Sequence, residues 1–137
     1  MNTSRHLVFI TLLTLAVTAN PFSPLKAQSA ASEQFVDQLI GTWTIDLRPK
    51  PDAEALLKSF EINSIKNGKM IGRFYDTKFT NGRVSLNWDK LYFAFTTKDR
   101  SGIYYQSGTF DGESIQGISY SENREFVAPW FSVSREE

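Results

Sequence analysis

Alternation of apolar and polar side chains with a period of two governs the chain from residue 42 to its end. Within 42–48, Trp43, Ile45 and Leu47 share one face while Thr44 and Asp46 share the other, the pattern of a strand with one buried side. The same reading pairs Phe60 with Ile62 on a strand near 57–66, and Gly72 with Phe74 on a strand near 69–79. On a strand near 91–98 it sets Phe93 and Phe95 against Tyr92 and Ala94. The last segment, 126–134, has Phe126, Ala128 and Trp130 on one side and Val127, Phe131 and Val133 on the other. Both sides are apolar, so periodicity leaves its inward face open. Ahead of the strands, Phe35, Val36, Leu39 and Ile40 recur at helical spacing and predict a short helical turn over one end of the domain.

The punctuation between these segments is that of hairpins. Asn67-Gly68, Asn81-Gly82 and Asp111-Gly112 each accept the positive φ angles of a two-residue turn, so each predicts two adjacent antiparallel strands. Asp89-Lys90, residues 99–102 and residues 121–125 supply the remaining reversals, and Pro49 and Pro51 end the first strand. Residues 49–56 form the longest connection, with a helical turn expected near 52–57. The sum is an all-β domain of eight strands in up-and-down order. An open meander would expose two unpaired edges; closure into an antiparallel barrel removes them.

Gly41-x-Trp43 stands at the start of the first strand and Arg135 at the end of the last. An indole there can seal one end of a small barrel, with the guanidinium across its ring. Together with the preceding helical turn and the eight-stranded meander, these residues resemble the calycin group, which comprises lipocalins, fatty-acid-binding proteins and avidins. The resemblance covers nearly all of residues 41–137. It implies a lipocalin-like closed barrel in which Gly41, Trp43 and Arg135 act in closure. Residues 43–47 and Gly72-Arg73-Phe74-Tyr75 are similar to the first strands of avidins, without a recognisable biotin-contacting set.

The first 27 residues read differently. Arg5 and His6 precede an apolar stretch, 7–19, that Pro21 and Pro24 break before Leu25-Lys26-Ala27. That is the layout of a secretory signal peptide, its apolar core shorter than the roughly 20 residues of a membrane span. The expectation is an exported protein, periplasmic or extracellular, with no membrane span after cleavage. The organisation is then a signal peptide at 1–27, a lead and helical turn at 28–40, and the barrel at 41–137. Removing the leader takes Arg5 and Lys26 from 15 basic residues and none of the 15 acidic ones, leaving a formal charge of −2. Basic residues are scattered, which argues against nucleic acid as a partner.

The single histidine, His6, lies in the leader, and the chain has no cysteine. Serine–histidine and cysteine–histidine catalysis are therefore excluded from the mature domain, as are the usual zinc, copper and haem sites. Asp46, Glu61, Asp76 and Glu113 are the strand carboxylates, and alternation brings no two of them together inside. Neither an enzyme nor a bound cofactor or metal is expected.

What remains is binding. Ile45, Leu47, Phe60, Ile62, Phe74, Phe93 and Phe95 are the candidate lining of an apolar pocket, with Tyr104 and Gln106 as polar tips. Tyr75 and Tyr105 offer further tips, and Arg73 and Arg124 offer charges for a carboxylate. The expected function is to hold a small hydrophobic or amphipathic molecule inside the barrel, with 49–57 as a lid at the open end. The alternative is a protein partner: a packed barrel acting as a protease inhibitor through residues 28–33, or as an accessory domain.

Overall fold

The computed structural model describes residues 33–85 and 90–136. The expected leader, the lead at 28–32 and Trp88 lie outside the described residues. A short helix, α1 (33–39), is followed by β1 (Gly41–Asp46), β2 (Leu57–Lys66), β3 (Lys69–Phe74), β4 (Thr77–Lys78) and β5 (Thr80–Ser85). The chain continues through β6 (Leu91–Asp99), β7 (Gly102–Phe110), β8 (Ile115–Ser121) and β9 (Phe126–Arg135). All pairings are antiparallel, and the ladder β2-β1-β9-β8-β7-β6-β5-β3 closes through β2–β3. The short β4 and β5 form one stave, so the closed barrel has the eight staves that the alternation predicts.

One reversal sits elsewhere than predicted. The turn after β3 is Tyr75-Asp76, with φ of 51° and 62°, and it pairs Phe74 with Thr77. Asn81, at φ 56°, instead occupies a bulge where the β5–β6 register shifts between Thr80 and Arg83. The reason is parity. A straight strand over 69–79 would put Asp76 and Lys78 on the same face as Phe74 and turn Phe79 to solvent. Reversing at 75–76 places Phe79 opposite Gly72 and buries both Phe74 and Phe79. Left-handed backbone at Asn81 serves a bulge as well as a turn.

The other reversals follow the reading with small changes. Asn67 and Gly68, at φ 50° and 70°, make the two-residue turn between β2 and β3. Asp111-Gly112 opens a longer loop, 111–114, in which Asp111 Oδ1 accepts from the amides of Glu113 and Ser114 at 3.0 and 2.8 Å. No helix forms in 52–57; a single turn closes there through Ala53 N to Lys50 O.

The closed end is built from both chain ends. Trp43 Nε1 donates to Leu39 O at 2.9 Å, which ties β1 to α1, and the Trp43 ring meets Phe110 edge-on at 5.6 Å. Phe35 of α1 covers Phe110 from outside at 6.4 Å. Arg135 lies over Trp43 and donates from Nη2 to Ile40 O at 2.8 Å. A Cβ added at Gly41 would come within 3.3 Å of Arg135 Nε, so glycine gives the guanidinium its seat.

Candidate functional site

The middle of the barrel is filled. Phe60, fully buried, touches the rings of Phe74, Phe79, Phe93, Phe95 and Trp130 at centroid distances of 5.3 to 6.3 Å. On β9 the buried Trp130 faces inward between exposed Pro129 and Phe131, which settles the face left open by periodicity. Trp130 lies flat on the sheet at Gly117, where any Cβ would collide with the six-membered ring of the indole. Its Nε1 is buried without an acceptor among the described residues. Six aromatic side chains in mutual contact plug the middle of the barrel.

Beyond this plug, at the end away from Trp43, the interior opens. A cavity of about 560 Å³ has Phe74, Gln106 and Ser119 among its lining, with Leu47, Leu56 and Ala128 as further walls. Tyr104, Lys98, Arg124 and Phe126 also line it. Ser119 Oγ donates to Gln106 Oε1 at 2.5 Å, and both residues are buried. That bond uses one polar atom of the carboxamide and leaves its second for a bound molecule.

Around the mouth the polar groups form a chain. Asp99 Oδ1 accepts from Ser101 Oγ at 2.6 Å, Ser101 Oγ lies 2.5 Å from Tyr104 Oη, and Arg124 Nη1 donates to that phenol at 3.3 Å. The Arg124 guanidinium also stands 5.5 Å from the Phe126 ring centroid. The Ser101 hydroxyl and nearby amides hold the Asp99 carboxyl below its ordinary value, and the Tyr104 phenol raises Arg124 further. Arg124 therefore reaches the cavity as a cation that donates to a neutral phenol, with the Asp99 carboxylate near enough to act on its charge; among the described residues no carboxylate lies in salt-bridge contact with it.

The connection after β1 is fastened by Asp46. Its carboxylate, 1% exposed, accepts from Arg48 N at 2.9 Å, Arg48 Nε at 2.7 Å and Leu56 N at 3.2 Å. Leu47 N donates to Leu56 O at 2.9 Å and closes the base of the loop. The Arg48 guanidinium holds the Asp46 carboxyl below the ordinary carboxylate range. Pro49 and Leu56 thus stand at the cavity, where the lid was expected.

No family model matches the chain, and no curated protein or solved structure matches it. Of the pocket candidates, Leu47, Phe74, Tyr104 and Gln106 line this cavity. Ile45, Phe60, Ile62 and Phe95 are buried in the packed core. Phe93 is buried against Gly108 and lies under an outer groove instead.

One polar tip and one of the two charges turn away. Tyr105 is 48% exposed on the outer face and stacks on Tyr120 at 6.1 Å. Arg73 Nη2 donates to Asp76 O at 2.5 Å on the outside of β3. Alternation accounts for both, since Tyr105 has the opposite parity to Gln106 and Arg73 to Phe74. Leu56 comes from the expected lid and Ala128 from one of the two apolar faces of the last strand, whereas Thr97 and Ser119 line the cavity without a sequence signal of their own. Ser119 was within reach, two residues from Gly117 on the same face.

Proposed function

We propose that this protein is an exported, non-enzymatic binding protein of lipocalin-like type that holds a small amphipathic molecule in the end cavity. The carrying observation is the pairing of about 560 Å³ of open volume with a polar floor at Gln106–Ser119 and two cationic side chains, Lys98 and Arg124, in its lining. An apolar body would rest on Phe74, Leu47 and Leu56, and a polar or anionic end would meet Tyr104 and Arg124. Burial supplies the affinity, about 2.5 kcal/mol for each 100 Å² of apolar surface removed from water, and the polar groups set orientation. The plug at Phe60 limits depth, so long unbranched chains would project from the mouth.

Titration with 1-anilinonaphthalene-8-sulfonate, an amphipathic anion whose emission rises in apolar surroundings, tests this reading. Saturable one-site binding is expected, weakened several-fold by Arg124→Ala at low ionic strength and less so at high salt. Absence of saturable binding by the folded protein would contradict it.

A further inference from the structure

We propose that two copies of this chain pair face to face through the outer surface of β6–β9. The pleat turns Tyr92 of β6, Tyr105 of β7, Ile118 and Tyr120 of β8, and Val127 and Phe131 of β9 outward, each 43–65% exposed. Cross-strand register makes them one patch. Tyr105 neighbours Tyr120, which neighbours Val127; Ser107 neighbours Ile118, which neighbours Pro129; Thr109 neighbours Gln116, which neighbours Phe131.

No charged residue interrupts these rows. The opposite side of the barrel is different: Glu61, Lys69, Arg73 and Arg83 stand outward on β2, β3 and β5. A second copy is the occupant this pattern fits. A twofold contact sets each group against the same patch on its partner, so any charge near the axis would meet its own sign. Hydroxyls and carboxamides such as Ser107, Thr109 and Gln116 both donate and accept, and can pair with themselves.

Area and shape agree with this. At the fractions exposed, the six apolar side chains offer on the order of 600 Å², taking about 150–250 Å² for a whole aromatic. The exposed, uncharged Ser107, Gln116 and Pro129 between them add to this area, toward the roughly 800 Å² per partner of a standard interface. Ile118 lines two hollows, one of about 840 Å³ with Tyr92 and Phe131 and one of about 300 Å³ with Tyr105 and Tyr120. A twofold axis near the Ser107–Ile118–Pro129 row would seat each Ile118 in a hollow of the other copy. Val127 and Pro129 belong both to this face and to the lining of the binding cavity, so the edge of the pair borders the cavity mouth.

Sedimentation velocity of the mature chain at micromolar concentration is the test. The expected result is twice the mass of one chain, shifting to a single chain with Ile118→Lys and with Ile118→Glu. Mixing those two variants should restore the double mass through opposite charges, which a misfolded variant would not do. Ile71→Lys, on the charged side, should leave the pair intact. A monomeric wild-type protein, an Ile118→Lys variant that still pairs, or a monomer that instead floats with phosphatidylcholine vesicles would each overturn the proposal.

Discussion

The guanidinium of Arg135 stands 5.6 Å from the centroid of the Trp43 ring because Val133 is an extra residue in β9. Thr44 pairs with Ser134 and Ile45 with Ser132, so Val133 has no partner across the ladder. Without that bulge, the parity set by inward Trp130 would send Arg135 outward. With it, the last residue of β9 folds over the first indole. Arg135→Ala should lower stability by about 1 kcal/mol, from a partly exposed cation–π contact and one hydrogen bond. Trp43→Ala should cost about 3–5 kcal/mol as a buried aromatic. Urea unfolding followed by circular dichroism measures both, and equal losses would contradict the ordering.

Trp130 and Gly117 form a second closely fitted pair. Gly117→Ala should destabilise by about 1–3 kcal/mol, because the new methyl occupies the place of the indole. Trp130→Phe should recover much of that loss, since the smaller ring leaves room and the substitution also removes a buried N–H without an acceptor. Additive losses in the double variant would show that the two residues do not compete for the same space.

Gln106 and Ser119 should behave as a unit. Gln106→Leu leaves the Ser119 hydroxyl buried without its acceptor and should cost about 1–3 kcal/mol. Adding Ser119→Ala should return most of it. Chemical denaturation of the two single variants and the double variant closes the cycle.

Asp46 makes the fold sensitive to acid. Its folded-state carboxyl lies below the ordinary value of 3.8, chiefly through the Arg48 side chain. Its contribution is therefore complete above 3.8 and is lost as pH falls through the lowered folded value. Asp46→Asn should be less stable than wild type at neutral pH, and the gap should narrow on acidification below 3.8. Asp99 and Asp111 add the same sign of dependence to both proteins, so the difference isolates Asp46. A gap unchanged by acid would contradict this role.

Most of the barrel could be read from residue order, because alternation places Trp43, Phe60, Phe74, Phe93 and Phe95 inward whatever the turns do. The turn at Tyr75-Asp76 could not be found by looking for Asn-Gly, yet the odd spacing between Phe74 and Phe79 already required a reversal between them. Asp76→Gly should accordingly stabilise the protein by up to about 1 kcal/mol, since glycine meets positive φ with less strain than aspartate. The cavity was less legible. Period two separates inside from outside, but whether an inward residue belongs to the plug or to the pocket depends on height along the barrel axis. That height is set by strand stagger, which no single strand reveals.

Occupancy of the cavity by a small molecule is the property on which the binding role rests. Wild type and Ala128→Trp, the variant adding an indole to the cavity wall, should be purified side by side from the native host and weighed intact by native mass spectrometry. A small-molecule adduct is expected on wild type and lost from the equally folded variant. A bare wild-type protein, or the same adduct on both, would contradict it.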